Sequence, residues 1–388
     1  MTIGIDARLW GLTHAGIGRY VLNLVVNLLQ AESDNHYVLF GPNQIKLDIP
    51  SSLHHKFTLI QTNITHYSLL EQVQLPLLLR KHPVDLMHFP HFNVPLPYHK
   101  PFVVTIHDIL WHQVRGGEVT TLSGWKYALK YQGYKRVVAH AIGASKKIIV
   151  PSNWVKTQLL QEFSQLNQDK IQVIYEGADH LGVGSKEQEA SESNTNSKAT
   201  FQIPTSKFYL YVGSCYPHKN VSTLIQAMKE IRDEGKTHKL VIVSSRNVFV
   251  NKLEAQVIEL GLEGQVIFAG KLSDDVLQSL YRRAIALVHP SLSEGFGLTG
   301  LEAMKHGCLV VASSKGSLPE IYGKCVVFLE DPLNPHLLAF SMLKAAKANP
   351  LWDELKTKAK AHARDFVWEK TAKETQGVYY STKLKLES

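Results

Sequence analysis

The stretch that most limits how this chain can fold runs from Ala284 to Gly307. Ala284-Ile285-Ala286-Leu287-Val288-His289 is a short apolar run that stops at Pro290, the pattern of a buried strand. Glu294-Gly295-Phe296-Gly297-Leu298-Thr299-Gly300-Leu301-Glu302 follows. Leu301, Met304 and Lys305 then continue into a short helix that Gly307 can close with a left-handed cap. The order is therefore strand, glycine-rich loop, helix. Thr299 is the expected N-cap, and Glu302, three residues on, completes a capping box. Gly295 and Gly297 remove side chains where a ligand would approach the backbone. Free N–H groups of the first helical turn, with the helix dipole behind them, favour an anion such as a diphosphate. A carboxylate accepts hydrogen bonds from vicinal hydroxyls, which sugars and riboses offer. Glu294 and Glu302 on either side of such a helix terminus point to a nucleotide-sugar. On spacing alone, Glu302 reads equally well as a helix cap and Glu294 as a solvated loop residue.

The same unit recurs along the chain. Thr2–Ala7 reads as a first strand, and the turn-rich Gly11-Leu12-Thr13-His14-Ala15-Gly16-Ile17-Gly18 precedes a helix beginning near Arg19. Gly16 and Gly18 would lie in a loop at the carboxyl end of a parallel strand, a mononucleotide-binding topology, although a plain tight turn explains them as well. Further strands are expected at Tyr37–Phe40, Thr58–Gln61, Leu86–Phe89, Phe102–Ile106 and Lys147–Val150. A second series is expected at Phe208–Val212, Lys239–Ser244, Gln265–Phe268, Ile285–His289, Leu309–Ala312 and Val326–Phe328. Helices between them give an α/β fold of two doubly wound parallel-sheet domains. Residues 185–206 are polar and lack a periodic apolar face, so they read as a linker or insertion between a domain at 1–184 and one at 207–365. Trp352–Lys370 is helix-like, and no internal repeat is visible.

At 388 residues the chain is too long for one ordinary core. A hydrophobic content of 44% and a charged content of 20% are those of a soluble globular protein. No secretory leader and no membrane-spanning run is read. The three cysteines have no metal-ligand spacing, and their scarcity suits a reducing cytosol. No Asp-x-Asp follows a strand, so no metal site and no cofactor are expected. With 42 Lys+Arg against 34 Asp+Glu, the charge of +8 favours anionic lipid or phosphorylated ligands; no nucleic-acid motif accompanies it. Residues Trp125–Val138 mix aromatics and cations at helical spacing. They read either as a helix lying on anionic lipid heads or as a domain helix with a solvated basic face.

Pro290-Ser291-Leu292-Ser293-Glu294-Gly295-Phe296-Gly297-Leu298, Glu302-Ala303-Met304 and Gly307 together resemble the signature of the family-4 retaining glycosyltransferases, in which two glutamates are separated by seven residues. The resemblance implies the GT-B arrangement, two Rossmann-like domains facing across a cleft, with the last residues, 366–388, returning to the first domain. It implies donor contacts at Gly213, Pro217, His218 and Lys219; Ser214 stands where many members carry an arginine, so that charge is missing or comes from Arg246 or Arg19. It gives Glu302 the ribose hydroxyls and Glu294 those of the donor sugar. The amides around Gly295, Phe296, Gly297, Leu298 and Thr299, with Lys219, take the diphosphate, while Gly16 and Gly18 close over it. His107, in His107-Asp108 after the strand ending at Ile106, would donate a hydrogen bond to the transferred sugar. His88, His91 and His112 are expected to be structural.

The implied activity is metal-independent, retaining transfer of a sugar to a glycan or lipid-linked acceptor, in the cytoplasm or at the inner face of a membrane. Ser291–Gly297 with Ser317–Glu320 mildly favours GDP-mannose over UDP-sugars. The alternatives are a nucleotide-sugar epimerase or phosphorylase on the same fold, or a non-catalytic sugar-nucleotide binder.

Overall fold

A computed structural model gives the fold and describes residues 1–11, 15–110, 124–179 and 201–387; side chains at 15, 124–127 and 385–387 are outside the description. The chain divides into two compact units, Met1–Lys186 with Val367–Ser388, and Glu187–Phe366.

The first unit is built on a parallel sheet of β1 (Thr2–Asp6), β2 (His36–Gly41), β3 (Phe57–Gln61), β4 (Leu86–Phe89), β5 (Phe102–Thr105), β6 (Lys147–Val150) and β7 (Ile171–Val173), in the order β3-β2-β1-β4-β5-β6-β7. Its strands are near-continuous apolar runs because helices cover both faces. On one face Ile3 and Ile5 pack beneath Val21, Leu24, Val25 and Leu28 of helix Ala15–Gln30. On the other, Met87, Phe89, Phe102 and Val104 meet Leu75 and Leu79 of helix Glu71–Lys81. The final helix, Trp368–Glu387, joins the first face. Trp368 N donates to Asp179 Oδ1 at 2.7 Å and Thr371 Oγ1 to the Tyr175 carbonyl at 2.7 Å. A Cβ on Gly177 would come within 2.3 Å of the Trp368 nitrogen, so only glycine lets this helix sit so close.

The second unit has β8 (Phe208–Val212), β9 (Lys239–Val243), β10 (Val266–Gly270), β11 (Leu287–His289), β12 (Val310–Ser313) and β13 (Val327–Leu329), all parallel, in the order β10-β9-β8-β11-β12-β13. Helix Val221–Asp233 buries Val221, Leu224, Ile225, Met228 and Ile231, the i, i+3, i+4 stripe written in its sequence. It ends where Gly235, at φ +75°, lets Lys236 N reach the Ile231 carbonyl, a left-handed stop.

Several local expectations change. The first helix starts at Ala15, not Arg19, so Gly16 and Gly18 lie in its first turn rather than in a loop. Trp352–Lys370 is not one helix: Pro350–Ala363 ends and Trp368–Glu387 begins anew, the two belonging to different units. β7, only three residues long, carries too little periodic signal to be read in advance. Of the expected linker, 185–200 lies outside the described residues, as do His112 and the side chains of Trp125, Lys126 and Tyr127.

Candidate active site

In the second unit the strand order reverses between β8 and β11, and the loops leaving the carboxyl ends of these two strands carry the motif residues. After β8, Pro217–Lys219 forms a single 3₁₀ turn, and after β11 the loop runs to Gly297. Lys219 Nζ meets Glu294 Oε1 at 2.7 Å. His289, the last residue of β11, approaches the same oxygen with Nε2 at 2.8 Å. Its Nδ1 lies 2.8 Å from the Tyr322 hydroxyl, which donates to the Gly297 carbonyl at 2.6 Å. Burial would raise the Glu294 carboxyl's pKa, but the Lys219 charge and the His289 hydrogen bond outweigh it and hold the group well below the usual carboxylate range.

Three devices fix this arrangement. Asn220, in the left-handed conformation at φ +58°, gives its Nδ2 hydrogens to the carbonyls of Pro290 and Pro332 at 3.2 and 2.6 Å. It thereby ties the loop carrying Lys219 to those that follow β11 and β13. Gly316, at φ +67°, packs on the Glu294 backbone so tightly that a Cβ would lie 2.7 Å from its nitrogen. Gly297, at φ +98°, starts helix Leu298–Lys305, with the Leu318 and Tyr322 side chains pressed against it. The helix therefore opens on a glycine with no side-chain cap, and the expected capping box is not formed. Thr299 is inside the first turn. Glu302 is buried and accepts from the Tyr281 hydroxyl at 3.1 Å. A left-handed residue that needs no Cβ displaced the threonine as cap.

His218 is next to Lys219; burial, then the Lys219 charge, push its pKa down to about 4. The Ser214 carbonyl accepts from the Tyr211 hydroxyl at 2.6 Å. Phe296 is buried and meets the Phe366 ring edge-on at 5.9 Å. Gly295 and Leu298 flank Phe296 and Gly297 in the same loop and helix start. Arg246 is not part of this group. Its side chain is 72% exposed and pairs with Glu254 at 3.0 Å, one helix away. Sequence reasoning missed His289, Asn220 and Tyr322. The hydroxyls of Ser291, Ser293 and Ser317, in the loops around Glu294, are buried without a hydrogen-bond partner in the protein.

In the first unit His107 follows β5. Nε2 donates to the Pro90 carbonyl at 3.0 Å and Nδ1 to Glu176 Oε1 at 3.1 Å. Both partners accept, so both nitrogens must carry protons. Burial opposes that charge, but the Glu176 hydrogen bond and charge prevail and raise the His107 pKa above its ordinary 6.5. The ring thus spends both N–H groups on the protein. Tyr20 closes one side edge-on at 4.6 Å, and Asp108 Oδ1 takes the Leu110 amide at 3.1 Å. His88 is structural: it is fully buried between Tyr379 and Thr105, its pKa pushed down to about 3 by burial. Nearby, Arg8 joins Asp6 and Glu71 at 2.7 and 2.6 Å in a buried ion cluster that no motif announced.

The profile of glycosyl transferases group 1 matches residues 193–363, and that of glycosyltransferase family 4 matches residues 14–180. The chain is a family-4-like glycosyltransferase. O-antigen chain mannosyltransferase B of Escherichia coli is 27% identical to it over 386 residues, spanning 94% of this chain and 95% of that one. Sucrose-phosphate synthase from Thermosynechococcus elongatus superposes with a TM-score of 0.70 at 18% identity, all of both chains being covered. Anabaena HepE, solved with UDP and glucose, does so with a TM-score of 0.69 at 19% identity, covering 98% of this chain and 100% of that one. The two Rossmann-like units of this glycosyltransferase are thus those of the GT-B fold. Among its described residues no helix is long and apolar enough to cross a membrane.

Proposed function

We propose that this glycosyltransferase moves a hexose, mannose before others, from a nucleoside diphosphate to a hydroxyl of a glycan or lipid-linked acceptor, with retention. The observation that carries this reading is the Lys219–Glu294–His289 cluster, set at the strand-order reversal beside the start of helix Leu298–Lys305. A departing diphosphate gains negative charge. Lys219 and the amides of the first helical turn would stabilise that charge as it develops. Glu294, kept ionised, accepts sugar hydroxyls. The acceptor hydroxyl would attack from the side the diphosphate leaves, and a diphosphate oxygen would take its proton; no protein nucleophile, metal or other cofactor is needed. Glu302 is assigned the ribose hydroxyls. The mannosyltransferase relative favours mannose, and the nucleotide-bound HepE structure supports a nucleotide-sugar donor. We place the work at the cytoplasmic face of a membrane, where lipid-linked acceptors lie.

Thermal-shift titration with GDP, UDP and ADP tests the donor site, because a ligand bound only by the native state raises its melting temperature. Stabilisation by one of them, lost in Lys219→Ala, is expected. Lys219→Ala should also lower transfer by about two decades, roughly 2.7 kcal/mol. No stabilisation by any of the three would overturn the assignment. Slow donor hydrolysis without acceptor would distinguish a transferase from a passive binder.

A further inference from the structure

Helix Glu71–Lys81 is apolar on two sides. Leu75 and Leu79 face the core, whereas Val73 and Leu77 point outward with the preceding Leu69 and Leu70, and Leu69 is 89% exposed. A helix ordinarily turns its aliphatic side chains to the core and its polar ones to solvent; here Val73 and Leu77 lie open beside exposed Gln74, Arg80 and Lys81.

The open side continues onto a second helix. The loop between them is anchored to both: Leu96 N donates to Gln72 Oε1 at 2.9 Å, and His140 Nε2 reaches the Tyr98 carbonyl at 3.1 Å. Phe92 bridges them too, with ring centroids 6.4 Å from Tyr67 and 5.2 Å from Tyr134. Helix Gly124–Ala144 brings Leu129, 70% exposed, together with exposed Lys130 and Arg136.

Among the described residues the outward side chains of these two helices include no carboxylate; the charge of Asp108 reaches Tyr67 and Tyr134, and that of Glu162 reaches Tyr134, at the edge of the face. Between Gln61 and Asp108 the sequence has two carboxylates. Glu71 is fully buried against Arg8 and Asn93, and Asp85 binds the Thr2 amide at the opposite, amino-terminal end of the sheet. Helix Gly124–Ala144 has no acid in its sequence. Exposed aliphatic side chains with exposed cations on the same helices match the boundary between acyl chains and anionic headgroups. A second copy of the chain would bring the same cations against themselves.

We propose that the face formed by Leu69, Leu70, Val73 and Leu77, with Leu129, Lys130 and Arg136, docks the first unit onto an anionic lipid surface. This names the surface behind the membrane location given above and does not depend on the sugar transferred. The apolar side chains enter the headgroup layer while the cations remain among the phosphates, so binding needs both.

The test is co-sedimentation of the full chain with vesicles of phosphatidylcholine alone or mixed with phosphatidylglycerol. Binding only to the mixed vesicles is expected. It should weaken on the order of tenfold in Leu69→Ser/Leu70→Ser and again in Lys130→Glu/Arg136→Glu. All four positions are exposed, so unchanged thermal melting controls for folding. No binding to mixed vesicles, equal binding to both kinds, or full binding by either double variant overturns the proposal. Concentration-dependent dimerisation abolished by Leu69→Ser/Leu70→Ser, without vesicle binding, overturns it in favour of a second copy. Donor thermal shifts and transfer to a soluble acceptor report on the active site separately, so either reading can fail while the other stands.

Discussion

Replacing Glu294 by glutamine keeps the side chain's size and one acceptor oxygen but removes its charge. Lys219 Nζ and His289 Nε2 both bond the same oxygen, Oε1, so an amide oxygen in that place can still accept from both. Hydrogen bonds to charged groups contribute about 1.5–3 kcal/mol, roughly twice a neutral pair, so each of the two should lose about 1 kcal/mol. Lys219 also loses its counter-ion, but its side chain is 19% exposed and water offsets part of that cost. The second unit should therefore be destabilised by about 2 kcal/mol at neutral pH. The pH dependence is fixed by the direction of the Glu294 shift. A carboxyl held below its ordinary 4.5 contributes stability that is complete above that value and is lost as pH falls through the depressed pKa. The difference between parent and variant should stay level from about pH 7 to pH 5 and shrink only in stronger acid. Hydrogen exchange of the peptide spanning Leu287–Lys305 in urea isolates this unit from the other. A difference below about 0.5 kcal/mol, or one already gone at about pH 5, would refute the assigned charge state.

Glu176→Gln should move the His107 titration, followed by NMR, back toward or below its ordinary value, because one charged acceptor is removed; an unshifted titration would mean that Glu176 does not hold the proton there. Stability from His107 is complete below its unfolded pKa and is lost as pH rises through the raised one, so the parent's advantage over Glu176→Gln should decline on the alkaline side. Gly300→Ala puts a Cβ 2.2 Å from the Tyr322 ring and should cost about 1–3 kcal/mol in calorimetric stability; no loss would show that Tyr322 can move away freely. Asn220→Ala removes the bonds to Pro290 and Pro332 and should weaken nucleotide affinity about tenfold by releasing Lys219, whereas Arg246→Ala, an exposed side chain, should leave affinity unchanged in the same titration.

Much of the framework is local and could be read directly. Short runs such as Leu86–Phe89 and Phe208–Val212 are strands because their residues are apolar and turn residues bound them. The motif Glu294 to Glu302 marked the right loop for the same reason, since a glycine-rich entry to a helix is written in consecutive residues. What it could not give is which residue caps the helix. Thr299 has the better chemistry, but a left-handed backbone at Gly297, held by Tyr322 from 25 positions away, decided otherwise.

The order of strands along the chain, the glycine punctuation and the motif loop followed from the sequence by itself, because each depends on neighbours within a few residues. The pairings that make a site were decided by tertiary structure. Lys219 and Glu294 are 75 residues apart and His107 and Glu176 are 69 apart. Each pair meets because loops at the carboxyl ends of a sheet's strands are brought together there. Spacing along a chain does not record that adjacency, and the same burial that joins such groups sets their charge.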